Sequence, residues 1–323
     1  MEREGTGREG MGREGMGTGG DGRLGIKVVT ESGEAHARVT AERLRELVER
    51  IGGRGDQFLI VQRIPDRPTV FIQAAHRPGG PYEFQHRTGP VPYMWVTEVE
   101  DPGLVADVMA RWARQEDGWD TGISWQRDEL PVPVAPPAPD PSVAADAERY
   151  VREMLADGYL DIRTIVRETV YLVEDRLTPA QAGPLVERLW LARVEEQETW
   201  TGETDPDRLE RAFAALERDG IVAREHFTCC RTCGTGDIGH EMADTPGARG
   251  FVFFHHQCTR GAAQGHGLAL YYGGREDSPE AAEGIGREVV AALTAAGLST
   301  RWDGDPDKAI GVAPLNWRKR LVG

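Results

Sequence analysis

The chain has 323 residues, of which 39% are hydrophobic and 28% are charged, and its formal net charge is −15. A field of this sign repels phosphate backbones and anionic lipid, so we expect neither a nucleic-acid partner nor a membrane partner. No apolar run approaches the roughly 18 residues that span a bilayer, and no apolar signal segment opens the chain, so we expect a cytoplasmic protein. The densest basic stretch, Trp317 to Arg320, is typical of a solvated fringe.

Composition divides the chain into two folded parts. Residues 1–22 repeat a Gly-rich charged unit that cannot bury apolar area, which predicts disorder. Residues 130–142, "LPVPVAPPAPDPS", have a proline at nearly every other position and predict a semi-rigid linker. The intervening residues 23–129 and the remaining residues 143–323 are long enough to be separate domains.

The first domain reads as a helix, a series of strands, a second helix and a last strand. The segment "TAERLRELVERIGG" has helical apolar spacing and predicts a helix that buries Leu44, Leu47, Val48 and Ile51. Short strand-like runs follow, bounded by Pro, Gly or Asp, and a second helix begins at Pro102. The order predicts an α+β sandwich with an antiparallel meander. His76 and His86 are interpreted as polar positions on a half-exposed sheet.

The second domain begins with helices and continues with strands. Four segments between residues 142 and 220 have helical periodicity, and the runs "IVAREHF", "GFVFFHHQ" and "GLALYYG" read as strands. A long amphipathic helix and two short strands complete the chain. We expect an α+β fold in which a helical lobe packs on a mixed or antiparallel sheet, with the cysteines at the start of that sheet.

All four cysteines lie in two fragments, "HFTCCRTCG" and "FFHHQC". Cys230 and Cys233 are separated by two residues, so both sulfurs can face one ion, and the following glycine tolerates the backbone geometry of such a knuckle. Tetrahedral zinc needs four ligands. On a strand His256 and Cys258 would share a face and could supply the other two, with Cys229 as a substitute donor.

Three interpretations of these cysteines stay open. Reduced cytoplasmic thiols in a cluster favour a metal site. Small buried hydrophobic residues at a strand entrance are the second interpretation. A redox dithiol is the third, and it needs a helix that begins at the cysteines. We expect "GTGDIG" to be a loop, which disfavours the redox interpretation.

The segments "FTCCRTCG", "RGFVFFHHQ", "LALYYGG" and "AAGLSTRWDGDPDKAIGV" resemble successive landmarks of an uncharacterised bacterial family, the domain of unknown function DUF6891. The resemblance covers about Ala144 to Trp317 and implies no activity. It implies a histidine at His255 and an acidic residue where this chain has Cys258, whereas the first three cysteines match. It therefore favours His255 over His256. The N-terminal domain is similar to small α+β chaperone-like adaptor modules.

The sequence thus predicts a zinc-type site formed by Cys230, Cys233, His255 and Cys258, with Cys229 and His256 as alternates. We expect a cytoplasmic adaptor that binds an unidentified protein partner and is stabilised by this structural metal. The competing hypothesis is an enzyme, either a metal-dependent hydrolase or a thiol-based catalyst, that uses the same residues with His255 as the acid or base.

Overall fold

The structure, a computed structural model, describes residues 22–131 and 134–322. The chain divides into two compact units, with the division between Val132 and Pro133. This division lies within the predicted linker 130–142, whose last two residues belong to a helix. Residues 1–21 of the predicted disordered segment lie outside the described residues. Among the helices of the described ranges, none has the length and apolar character that crossing a membrane requires.

The N-terminal unit combines an antiparallel sheet with two helices. Its elements are β1 Ile26–Thr30, β2 Ala35–Ala37, α1 Ala41–Arg50, β3 Phe58–Arg63, β4 Val70–His76, β5 Tyr82–Thr88, β6 Tyr93–Val99, α2 Pro102–Ala113 and β7 Gln126–Glu129. The strand order is β2-β1-β3-β4-β5-β6-β7, and every pairing is antiparallel. The meander from β3 to β7 confirms the predicted α+β class.

The buried face of α1 matches the predicted apolar positions. Thr40 caps the helix by accepting the Arg43 N–H, and Leu44, Leu47 and Val48 are fully buried. The Tyr82 hydroxyl of β5 donates to the Val48 carbonyl at 3.3 Å. Helix and sheet therefore share one core, as helical and alternating periodicity together require.

The interpretation of His86 as a half-exposed polar position was wrong. Only 4% of this residue is exposed, and its ring lies edge-on to Trp119 and Trp125 at centroid distances of 4.9 and 4.5 Å. Both tryptophans lie beyond α2, in the segment that leads to β7, so strand alternation could not reveal them. Nδ1 of His86 has no hydrogen-bond partner, and burial lowers the pKa of His86 from 6.5 to about 4.

This buried histidine should make the stability of the chain pH-dependent. Since the folded-state pKa of His86 lies below 6.5, its contribution is complete above pH 6.5 and is lost as the pH falls towards 4. We expect the free energy of unfolding to fall by about 2 kcal/mol more in the wild type than in His86→Phe across this interval, once solvent screening is allowed for. Urea unfolding at several pH values, followed by tryptophan fluorescence, measures the difference; parallel curves would contradict it.

In the C-terminal unit, several helices precede a five-stranded sheet in the chain and others connect its strands. Its elements are α3 Pro141–Asp157, α4 Ile162–Leu172, α5 Pro179–Glu198, α6 Asp205–Arg218, β8 Ile221–Arg224, α7 Arg231–Asp244, β9 Gly250–Phe253, α8 His256–Ala263, β10 Leu268–Gly274, α9 Pro279–Ala295, β11 Thr300–Arg301 and β12 Ile310–Val312. The strand order is β11-β12-β10-β9-β8. The β8–β9 pair is parallel and the other pairs are antiparallel, so the sheet is mixed, one of the two forms expected.

The two faces of this sheet bury different helices. Val252 and Phe254 belong to the core that includes residues of α6 and α9. Val222 and Phe253 project to the opposite face, where they belong to a cluster with Ile238 of α7. The helices α3, α4 and α5 form a lobe with its own core, whose largest fully buried side chain is Trp190. Ion pairs from Arg260 of α8 to Glu153 and Asp157 of α3 connect the lobe to the sheet region.

The basic stretch near the C-terminus is part of the packed structure, so its interpretation as a solvated fringe was wrong. Trp317 and Lys319 are 9% and 8% exposed. The Trp317 indole donates to the Asp157 carbonyl, and the Lys319 ammonium lies 3.1 Å from a Glu225 carboxylate oxygen. The charge of Lys319 is thus satisfied within the C-terminal unit, whereas Arg318 of the same stretch is exposed.

Candidate functional site

Two helices begin side by side at one edge of the C-terminal sheet. The parallel strands β8 and β9 pair up to Arg224 and Phe253, their last residues. The helix α7 begins seven residues after β8 ends, and α8 begins three residues after β9 ends. Because parallel neighbours end at the same edge, the N-termini of both helices lie there, where α/β sheets commonly bind ligands. All four cysteines are in these two helices or directly before them.

The segment that joins β8 to α7 contains two residues with positive φ angles and is fixed by backbone hydrogen bonds. His226 and Thr228 have positive φ angles of 50° and 58°, a conformation that is costly for residues other than glycine. The Phe227 N–H donates to the Phe254 carbonyl at 2.8 Å, and the His256 N–H donates to the Thr228 carbonyl at 3.1 Å. These bonds fix the segment against the start of α8 and offset the backbone strain.

Three stacked rings support the same segment. His226 lies between Tyr159 and His256, at centroid distances of 4.4 and 4.0 Å. His226 Nδ1 is 2.9 Å from the Thr259 hydroxyl, and burial lowers the pKa of His226 to about 3. Desolvation also lowers the pKa of His256, which favours the neutral form of both stacked imidazoles. Sequence analysis did not assign a role to His226 or Tyr159, since their contact joins positions far apart in the chain.

The structure brings Cys229, Cys230 and Cys233 together. Their sulfur atoms all lie within 4.8 Å of one another, close enough to hold a metal ion. Cys229 and Cys233 are exposed and Cys230 is half-buried. The interpretation of the cysteines as inert core residues therefore does not fit these three thiols.

The expectation that "GTGDIG" forms a loop was wrong, because these residues belong to α7. Cys230 is the N-cap residue of α7, and Cys233 lies in its first turn. The Cys230 thiol makes no capping hydrogen bond. Its pKa is nevertheless lowered by the nearby backbone N–H of Cys233, by the thiols of Cys233 and Cys229, and by the N–H of Thr232. The neighbouring sulfurs raise the pKa of Cys233 to about 11. One thiol of the pair is thus poised to ionise first, as in reactive cysteines at helix N-termini.

Gly234 has a steric role that differs from the one expected. It has no positive φ angle, so no knuckle geometry requires glycine there. A Cβ atom at this position would overlap the ring of Phe253 in β9. The absence of a side chain lets the first turn of α7 approach the end of β9, which keeps the cysteines at the sheet edge.

His255 and Cys258 form a second thiol–imidazole pair. His255 is the N-cap residue of α8 and Cys258 lies in its first turn, so the expectation that His256 and Cys258 share a strand face was wrong. The Cys258 sulfur is 3.4 Å from Nε2 of His255. Burial lowers the pKa of His255 and raises the pKa of Cys258, which favours the neutral forms of both groups.

Tyr271 of β10 lies beside both groups of residues. The His255 ring stacks on it at a centroid distance of 5.4 Å, and the Arg231 guanidinium lies 4.9 Å from the same ring centroid. Arg231 directly follows Cys230 in the chain. Within the described residues, however, no set of three ligand atoms close enough for a metal includes His255, His256 or Cys258. The four-ligand zinc centre stays a prediction. It would require the three-cysteine cluster and the His255–Cys258 pair to move closer to each other.

A scan against protein-family models matches residues 140–321 to DUF6891, described as a domain of unknown function. The chain belongs to this family. The match spans the whole candidate site of the DUF6891 domain and confirms the resemblance stated for the C-terminal part. No curated protein and no solved structure matches the chain. The similarity of the N-terminal unit to chaperone-like adaptors stays a prediction.

Two glycines of α7 in the DUF6891 domain allow a matched test of this packing. Gly234→Ala should destabilise the chain by about 2 kcal/mol because the new methyl group meets the Phe253 ring. Gly236→Ala should be neutral or stabilising by up to about 1 kcal/mol, since open space surrounds that position and alanine favours helix. Urea unfolding of both variants measures the difference. Equal effects of the two substitutions would contradict the steric role of Gly234.

Proposed function

We propose that the DUF6891 domain carries out thiol–disulfide exchange, with Cys230 as the attacking thiolate and Cys233 as the resolving thiol. The observation that supports this most is the place of Cys230 at the N-cap of α7. Partial positive charge at a helix N-terminus stabilises a thiolate, and the nearby backbone N–H groups can donate hydrogen bonds to the sulfur once it ionises. The redox interpretation of the cysteines needs a helix that begins at them, and α7 is such a helix.

The exchange proceeds in two balanced steps. The Cys230 thiolate attacks one sulfur of a substrate disulfide, so a Cys230–substrate bond forms while the substrate S–S bond breaks and the leaving thiolate takes a proton. Cys233 then loses its proton and attacks the Cys230 sulfur, which releases the second substrate thiol. Two electrons pass from the protein dithiol to the substrate disulfide, and a Cys230–Cys233 disulfide remains.

The accessibility of these thiols also supports exchange over a closed structural centre. Structural zinc sites use four protein ligands that are shielded from solvent. Here Cys229 and Cys233 are exposed and the attacking Cys230 is half-buried, so a substrate disulfide can approach the Cys230 sulfur from the solvent-exposed side of the cluster. The zinc-stabilised cytoplasmic adaptor with a protein partner remains a prediction. Stoichiometric zinc in the purified chain, with unfolding on chelation, would favour it over exchange.

The first test is the pH dependence of alkylation. Because the pKa of Cys230 lies below its ordinary value of 9.0 while the pKa values of Cys233 and Cys258 are raised, iodoacetamide should modify Cys230 before Cys233 and Cys258 as the pH rises from 5 to 9. The rate at each cysteine is measured by mass spectrometry of proteolytic peptides. Cys230→Ser should lose the fast reaction, and Cys258→Ser should keep it.

The second measurement is disulfide formation with a small-molecule disulfide. Oxidised protein should contain the Cys230–Cys233 bond, and Cys233→Ser should accumulate the mixed disulfide at Cys230 because its main resolving thiol is gone. If all four thiols react with the same pH profile and no Cys230–Cys233 bond forms, the proposal fails.

A further inference from the structure

The cluster contains one more thiol than exchange requires. Cys229 precedes the N-cap residue of α7, and its sulfur lies within 4.8 Å of the other two. A dithiol needs only Cys230 and Cys233. The adjacent Cys229 is not needed for their disulfide, so its position in the cluster suggests a second chemical role for the three thiols.

The donor set consists of sulfur alone. Within residues 22–131 and 134–322, Cys229, Cys230 and Cys233 are the His, Cys, Asp or Glu side chains that form a group close enough for a metal. The set contains no imidazole and no carboxylate. Thiolate donors select soft cations, whereas oxygen donors select Mg²⁺ or Ca²⁺.

The number of donors also restricts the ion. Tetrahedral zinc needs a fourth ligand, and the His255–Cys258 pair is engaged internally at 3.4 Å. A soft monovalent cation of the Cu(I) type is satisfied by three thiolates in a plane. Three thiolates this close would repel one another, and a bound cation removes that repulsion. The exposed positions of Cys229 and Cys233 leave a path from solvent.

We propose that Cys229, Cys230 and Cys233 form a three-thiolate site for one soft metal cation of the Cu(I) type. Binding replaces the thiol protons, which pass to solvent, and no electrons are transferred. The site goes beyond thiol–disulfide exchange because it requires Cys229. It also occupies both exchange thiols, so a bound ion blocks their oxidation.

The test is a competition titration of the full chain with Cu(I) under anaerobic conditions against a chromogenic Cu(I) chelator. We expect one Cu(I) per chain. Since loss of a group that merely orients a ligand costs about 10–100-fold in metal affinity, loss of the direct ligand in Cys229→Ser should cost at least about 100-fold. Cys258→Ser is the matched control, as another single thiol outside the cluster, and should bind like the wild type. Circular dichroism checks that each variant is folded.

The same variants separate this proposal from the exchange reaction. Cys229→Ser should still form the Cys230–Cys233 disulfide, so failure of ion binding and failure of exchange are independent outcomes. The site is overturned if the wild type binds Cu(I) no more tightly than a variant with serine at all three positions. It is also overturned if Cys258→Ser loses Cu(I) to the same extent, or if a parallel zinc titration gives tighter binding that depends on Cys258. The last result would restore the four-ligand zinc centre.

Discussion

The parallel pairing of β8 with β9 is the constraint on which the candidate site depends. Every other strand pair in this sheet is antiparallel, and antiparallel neighbours send the chain out at opposite edges. The one parallel pair instead delivers two chain segments to the same edge, and each continues into a helix. Two helix N-termini therefore lie beside each other, and the first N–H of α8, at His256, donates to the Thr228 carbonyl of the segment before α7. The thiols gather there because both segments that carry them leave the sheet at that edge.

The site divides into an outer group of cysteines and an inner group of histidines. The outer cysteines are open to solvent, and their environments give neighbouring sulfurs different affinities for protons. The inner residues His226 and His255 are held by stacking, and burial lowers the pKa of each. This arrangement keeps imidazolium charge away from the thiols, so the backbone and the cysteines themselves control their ionisation. Exchange and ion binding would compete for the same sulfurs, which couples the redox state of the site to metal supply.

Much of the fold could be predicted from the sequence, because its elements follow local rules. The apolar spacing in α1 and the alternating strands of the meander are properties of neighbouring residues. The errors in the site have a common cause. The segment after Cys233 is rich in glycine, which argues against helix, yet α7 forms because Gly234 fits against Phe253 and Ile238 is buried on the sheet. Tertiary packing there overrides local propensity.

The prediction that His256 and Cys258 share a strand face was wrong for a related reason. "FFHHQC" begins as a strand and ends as a helix, and no glycine or proline marks the change at His255. Residues two apart share a face on a strand but not on a helix. Applying the strand period to a helical segment therefore placed His256 beside Cys258 incorrectly. The family resemblance favoured His255, and the Cys258 sulfur lies against its ring, whereas the role of His255 as a metal ligand stays a prediction. The contacts of Tyr159 and Tyr271 join distant segments and had no local signal.

The buried Lys319 has a consequence for biosynthesis. Its ammonium lies over the Tyr159 ring and beside Glu225, directly before the strained His226 that supports the thiol segment. Translation runs from the N-terminus, so the cysteines leave the ribosome well before this lysine does. Until it emerges, the Tyr159 ring that stacks on His226 lacks the Lys319 contact that covers it. The thiol segment therefore reaches its final packing only after Lys319 has been synthesised.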